Sequence, residues 1–387
     1  MPATPSRWTE LSVSERRVAL EVLVHGPLAR TELAQRLELS TPSLTRLTKP
    51  LIDTGVLHEV DDPTDPAARN GGRPLQPLDV DPGLDHFVGI KLTGTRAFAA
   101  LTDLRAEIVH AADLPVEDHR PEAVVELLAR LVAQVSEGRP DACVCAVGVG
   151  LGGIVREDVR VGRAPFLGWR DVDLGVLLRE RLGLPVVLAN DLDALMEAEH
   201  WFGAGRDVSD FVALTIGAAV GCGLVVHDRL VHGRDSGLGL LGHFALDPLG
   251  PACPDGHRGC ANALLSMDAI QTQAALASGR ALTYDEVLDL AEAADPIADQ
   301  IVGNAARAFG VLIADVVNIA QPQRVVLTGE GIRLAEVGWD RLVASIREHR
   351  NPEASDVDLL LVKDDPTLWA RGAAAVAIQR TVLATLP

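Results

Sequence analysis

The chain has 387 residues, 48% of them apolar, enough to bury the cores of two or three domains and too apolar for a disordered protein. Its formal charge of −19 excludes a protein that coats nucleic acid by bulk attraction, though not one that reads it through a few placed cations. There is no run of 18 apolar residues, the N-terminal MPATPSRWTE has no signal-peptide core, and the five cysteines are scattered, so a cytoplasmic chain without membrane span or disulfide framework is expected.

Residues 1–80 carry 9 Lys and Arg against 11 Asp and Glu, so most of the negative charge lies beyond them. Ser12-Val13-Ser14-Glu15 has the form of a capping box, and Val18, Ala19, Val22 and Leu23 make one apolar face before Gly26-Pro27 ends a first helix. Residues 31–37 read as a second helix. Ser40 caps a third, with Pro42 in its first turn and Leu44, Leu47 and Leu51 inward. That spacing turns Thr41, Ser43, Thr45, Arg46 and Lys49 outward. Two short helices joined by a tight turn, the second showing hydroxyls and cations, suit a helix-turn-helix that enters a major groove; an ordinary three-helix bundle is the alternative. Residues 56–60 and 75–80 read as a two-stranded wing with Arg69-Asn70-Gly71-Gly72-Arg73-Pro74 at its base, and Arg69 and Arg73 in such a loop suit a narrow minor groove. Two features run against the pattern. Glu38 stands in the connecting turn, where glycine is usual, and Pro50 predicts a bend of the third helix between Arg46 and Pro50.

From residue 83 strands and helices alternate. Phe87-Val88-Gly89-Ile90 opens a strand that turns near Thr93-Gly94-Thr95 and returns through Phe98. Residues 121–135 form an amphipathic helix, and residues 142–149 an apolar strand that ends in Gly150-Leu151-Gly152-Gly153. Cys143 and Cys145, two apart in that strand, are expected to be buried together. A helix over 174–181 and a strand over 185–188 lead to Asn190-Asp191, which is either a ligand contact at a strand end or a helix N-cap. Mixed α/β architecture with ligands at strand ends follows. Residues 267–318 and 369–383 read as helices, and the small residues of Arg371-Gly372-Ala373-Ala374-Ala375 allow close packing.

Residues 236–260, SGLGLLGHFALDPLGPACPDGHRGC, place a histidine, two cysteines and several turns in one loop. Zinc takes about four N, S or O ligands in a tetrahedron; His243, Cys253 and Cys260 with either Asp255 or His257 make such a set, against the alternative of unrelated side chains.

Gly242-His243 followed by Cys253-Pro254-Asp255-Gly256-His257-Arg258-Gly259-Cys260 resembles the zinc loop of the ROK family, which contains sugar kinases and sugar-responsive transcriptional repressors; Asp255 replaces one cysteine. The winged helix with its Gly-Arg-Pro element, and Asn190-Asp191 with Ala194, Glu197 and Trp201-Phe202-Gly203, resemble the same family, so that the likeness covers nearly the whole chain. It implies an α/β fold in which an N-terminal winged helix-turn-helix, residues 1–82, precedes a two-lobed actin-like ATPase (ROK) domain, residues 83–387, that binds an effector and dimerises. It also implies a structural Zn2+ on His243, Cys253, Asp255 and Cys260 in the loop 243–260, and an effector on Gly153, Asn190, Asp191 and His243.

Several positions depart from the kinase form. The acidic residue of the first phosphate loop is Lys91, its first glycine is Thr93, Ala218 and Ala219 stand in the second loop, and two glutamates of the sugar site are Leu240 and Asn262. Because a lysine does not ligate Mg2+, phosphoryl transfer is not expected. The resemblance implies a repressor, a homodimer or homotetramer on a palindromic double-stranded DNA operator, controlled by a sugar or sugar-derived effector. Its rivals are a ROK sugar kinase with an added reader domain and a repressor with no effector.

Overall fold

The Glu15 amide donates to the Ser12 hydroxyl while the Glu15 carboxylate accepts from the Ser12 amide, and this reciprocal pair starts α1 (Val13–His25). The computed structural model in which this is seen describes residues 7–61, 76–139, 141–233 and 235–385. Two compact units divide the chain: residues 1–206 with 366–387, and residues 207–365.

In the first unit α1 buries Val18, Ala19, Val22 and Leu23 against α2 (Arg30–Arg36) and α3 (Thr41–Asp53). Glu38 occupies the left-handed region at φ +55° between α2 and α3, so the turn has the glycine-like geometry of the motif with a side chain that pays about 1 kcal/mol for it. α3 runs without a break through Pro50, which stands in its last turn, and ends at Asp53. The wing is short. β1 (His58–Glu59) pairs antiparallel with β2 (Leu78–Asp79), and Leu28 bridges to Leu78. Arg69, Arg73 and Leu75 lie outside the described residues.

A five-stranded sheet follows, built from β3 (His86–Leu92), β4 (Arg96–Thr102), β5 (Ile108–Pro115), β6 (Val144–Leu151) and, after a three-stranded antiparallel sheet of β7 (Ile154–Arg156), β8 (Arg160–Ala164) and β9 (Trp169–Val172), β10 (Val186–Asn190). Its order is β10-β6-β3-β4-β5, with β10, β6 and β3 parallel and β3, β4 and β5 antiparallel. Helix α4 (Pro121–Glu137) packs on β4 and β5, α5 (Leu174–Leu182) on α4 and β10, and α6 (Asp191–Phe202) springs from the end of β10. β6 begins at Val144, which corrects the expectation of paired buried thiols. Cys143 is exposed, and Cys145 is buried with its thiol 3.3 Å from an Asp85 carboxylate oxygen.

The helix Pro366–Val382 closes this unit over β3 and β6. Gly89 and Gly148 let it approach: a Cβ on either would stand 1.9 Å from a carbonyl oxygen, of Ala370 and of Ala373 respectively. The small-residue run at 371–375 thus meets two side-chain-free positions on the sheet. One apolar cluster joins Val22, Leu23, Leu28 and Leu78 of the N-terminal segment with Phe87 of β3, Leu104 and Ala106 of the β4–β5 turn, and Ala374 and Ile378 of the closing helix. The boundary expected at 82/83 therefore falls inside a shared core. Arg105 reinforces it by pairing with Asp79 and donating to the carbonyls of Val22 and Leu23 at 3.2 Å each.

The second unit has a sheet of order β13-β12-β11-β14-β15, formed by β11 (Phe211–Ile216), β12 (Val220–Val226), β13 (Arg229–Leu230), β14 (Arg324–Thr328) and β15 (Leu359–Leu361). Its helices are α7 (Ala261–Leu265), α8 (Met267–Ser278), α9 (Tyr284–Glu292), α10 (Pro296–Ala320), α11 (Arg333–Val337) and α12 (Trp339–Glu348). By length and composition α10 alone among the described helices could cross a membrane, but Val302, Phe309, Leu312 and Ile313 place it in this unit's core.

Candidate functional site

On α3, Leu44, Thr48 and Leu51 face inward, while Thr41, Thr45, Arg46 and Lys49 are exposed and Ser43 is half-buried. Two of the hydroxyls have local work. Thr45 donates to the Thr41 carbonyl at 3.0 Å, and Ser40, whose hydroxyl accepts from the Ser43 amide, donates to the Ser43 hydroxyl at 2.9 Å. The two cations, Arg46 and Lys49, are therefore the strongest groups this face offers to a phosphate or a base edge.

The carboxyl ends of the parallel strands β6 and β10 bring Gly153, Asn190 and Asp191 together. Gly153 has φ +139°, and a Cβ there would stand 2.0 Å from the Arg163 carbonyl oxygen, so no larger residue fits. Asn190 serves both readings of its position. Its carbonyl oxygen caps α6 by accepting from Leu192 and Asp193 at 3.0 and 3.3 Å, while its amide donates to the Gly153 carbonyl at 3.0 Å. Asp191 accepts from the Leu192 amide at 2.9 Å with one oxygen and pairs with the Lys91 ammonium with the other. That ammonium lies 4.3 Å from the centre of the Trp369 ring, a cation–π contact. Both partners are largely shielded, at 12% and 19% side-chain exposure.

Phe166 was not legible from sequence as a site residue. It is 60% exposed, and a Cβ built on Gly152 would lie 3.6 Å from both its ring and the Asp191 carboxylate, so both side chains border Gly152. An exposed aromatic in the short turn between β8 and β9 was the available signal. The Lys91–Asp191 pair carried none, since its members are 100 residues apart.

His243 belongs to the second unit. Its Nδ1 lies 3.8 Å from Cys253 Sγ and 4.0 Å from Cys260 Sγ, and the three donors fall within 4.8 Å of one another. This group can hold a metal ion. His257 Nδ1 is 3.6 Å from Cys253 Sγ, whereas Asp255 reaches the other nitrogen of His243, Nε2, at 3.5 Å. Burial pushes the Cys253 thiol up, but hydrogen bonds from the His257 side chain and from the main chain at 257 and 255 outweigh it and bring the thiol down to about 6. Burial and the neighbouring Cys253 push Cys260 up. One member of the pair is thus readily a thiolate, the state a metal requires. Asn262 has a structural role: its oxygen accepts from the Val220 amide at 2.8 Å, and Gly242 has no room for a side chain against it. Leu240 points outward, 66% exposed.

The family model described as "ROK family" matches residues 87–380. The chain belongs to the ROK family. Among curated ROK relatives, the DNA-binding transcriptional repressor Mlc of Escherichia coli (strain K12) is 26% identical over 348 residues, 85% of this chain and 84% of that protein. A glucokinase of Thermotoga maritima is 32% identical over 285 residues, which cover 69% of this chain and 88% of the kinase. The crystal structure of a ROK family transcriptional regulator, a homolog of the E. coli MLC protein, superposes with a TM-score of 0.80 at 26% identity and covers 96% of this chain and 97% of its own. The α/β fold read from the sequence therefore stands.

Proposed function

We propose that this ROK protein is a DNA-binding transcriptional regulator of the repressor type that responds to a sugar or sugar-derived effector and transfers no phosphoryl group. One observation carries the reading. The sequence likeness to the repressor Mlc extends over 85% of the chain, while that to the glucokinase covers 69%. The residues α3 presents, Thr41, Ser43, Thr45, Arg46 and Lys49, are the ones that would enter a major groove, with Arg69 and Arg73 assigned to the minor groove. Two copies with recognition helices about one helical turn apart would read a palindrome, so a homodimer or homotetramer acting in the cytoplasm is part of the proposal.

Gly153, Asn190 and Asp191 with His243 are the effector residues of this reading. A kinase would need Asp191 as a free general base and an acidic residue at position 91; the Lys91 ammonium occupies the carboxylate instead. Hydrogen bonds also run from the effector residues to the reader. Asn190 and Asp191 head α6, whose last carbonyl, of Phe202, accepts from Arg371 at 2.9 Å; Arg371 also donates to the Ala106 carbonyl at 2.9 Å, and the adjacent Arg105 holds the end of α1 and the wing. An effector that favoured one setting of α6 would bias the reader through these contacts. His243, Cys253, Cys260 and a fourth donor would hold a structural Zn2+, which would fix the loop 243–260.

Fluorescence anisotropy on DNA from upstream of the protein's own gene, over a salt series and with a panel of sugars, tests the reading. Selective, salt-sensitive binding that one sugar changes is the expected result. ADP release with any sugar, or a lack of selective binding on every operator tried, would sink it.

A further inference from the structure

The loop 243–260 offers two candidates for its fourth metal donor, and they stand in different places. In a tetrahedral zinc site with bonds of about 2.3 Å to sulfur and about 2.05 Å to nitrogen, neighbouring S and N donors are about 3.6 Å apart. His243 Nδ1 to Cys253 Sγ is 3.8 Å, His243 Nδ1 to Cys260 Sγ is 4.0 Å, and His257 Nδ1 to Cys253 Sγ is 3.6 Å, each close to that edge; His257 and Asp255 both stand outside the three donors that lie within 4.8 Å of one another, so His257 must turn toward His243 and Cys260 to complete the set. The backbone sets this arrangement. The Cys253 amide donates to the His257 carbonyl at 2.7 Å, Ala252 bridges to Arg258, and Gly256 at φ +88° closes the turn, so His257 stands beside Cys253. The two imidazole rings lie 4.5 Å apart between centres.

Asp255 is placed otherwise. Its carboxylate is 70% exposed and meets His243 at Nε2, the nitrogen that the thiols do not share. A carboxylate on the second nitrogen of a ligating histidine fixes its tautomer and ring orientation without touching the metal.

We propose, on the footing of the zinc reading above, that His257 through Nδ1 is the fourth ligand of a two-histidine, two-cysteine site, and that Asp255 is an outer partner that orients His243. The replacement of a cysteine by Asp255 is then compensated within the same turn by His257, two residues on. The proposal differs from the ligand set His243, Cys253, Asp255 and Cys260 expected from the family pattern by exchanging Asp255 for His257.

The full chain is loaded with Co2+ in place of zinc, and its visible d–d bands and near-ultraviolet thiolate-to-metal bands are recorded with affinities from chelator competition. Asp255→Asn is expected to keep the d–d envelope while losing about 10- to 100-fold in affinity, as outer partners do. His257→Ala is expected to change the envelope. His257→Cys is expected to keep tetrahedral Co2+ and raise the thiolate band about 1.5-fold, from two sulfurs to three, a gain that a misfolded protein does not give. An unchanged envelope in His257→Ala together with an altered one in Asp255→Asn overturns the assignment and returns Asp255 to the metal. Failure of the unsubstituted chain, or equal success of Cys260→Ser, in taking up one Co2+ with thiolate bands overturns the zinc reading itself.

Discussion

The ammonium of Lys91 on β3 is bonded to the carboxylate of Asp191 at the head of α6, under the face of Trp369. Lys91→Met leaves that carboxylate shielded and unpaired. After discounting for the pair's partial exposure, unfolding in urea should show a loss of about 1–3 kcal/mol. An unchanged midpoint would mean that the pair does not persist in solution.

Arg105 joins the sheet to the end of α1 and to the wing by three charge-assisted contacts, with Asp79 and the Val22 and Leu23 carbonyls. Arg105→Ala should cost about 2–4 kcal/mol and speed hydrogen exchange at the end of α1 before it affects β6. If both segments loosen together, the reader and the sheet open as one unit without need of this residue.

Gly148→Ala places a methyl 1.9 Å from the Ala373 carbonyl oxygen, and the backbone must move. A loss of about 3 kcal/mol is expected. Gly233→Ala, with nothing within 4 Å of its Cβ, serves as the control and should stay within about 0.5 kcal/mol of the parent in the same melts.

His86 is buried with its Nδ1 unpartnered, and burial holds its pKa below the usual value, as does Arg139, against opposing pulls from Asp103 and Asp85. A base with a depressed folded-state pKa binds more protons when unfolded, so its contribution is intact above the unfolded value of about 6.5 and is lost as pH falls below it. Urea midpoints measured from pH 8 to pH 5.5 should therefore fall, and His86→Gln should flatten that fall. Asp103, raised by burial, acts in the opposite sense in the carboxylate range. A slope unchanged in His86→Gln would assign the pH dependence to other groups.

Cys260→Ser should lower the zinc content of the purified protein at least tenfold, because the buried Cys260 is one of the three gathered donors. It should weaken operator binding as well, if the loop shapes the effector residues. Metal analysis and anisotropy on one preparation separate the two, and full DNA affinity in metal-free protein would leave the metal a local staple.

Where chemistry was local, the sequence already displayed it. The capping box at Ser12 and Glu15, the inward Leu44 and Leu51 and the outward Arg46 and Lys49 follow from helical spacing, and the ligand cluster follows from one loop. What needed distance was hidden. The partner of Lys91 is 100 residues away, the approach of the closing helix to Gly89 and Gly148 depends on the sheet being assembled, and β6 starts at Val144, two residues later than the apolar run suggested, with Cys143 exposed before it. Asn190 shows a further limit: the cap and the ligand-site reading use different atoms of one side chain, so spacing had no means of choosing between them.

The closing helix has a consequence for synthesis. A ribosome delivers α1 to α3 first and residues 366–382 last, yet Ala374 and Ile378 share the apolar cluster that holds Val22 and Leu78 in place. A growing chain therefore has α1 to α3 long before it has the closing helix that shares their core. Translation that stops short of Pro366 would leave the N-terminal helices with this part of their apolar base missing.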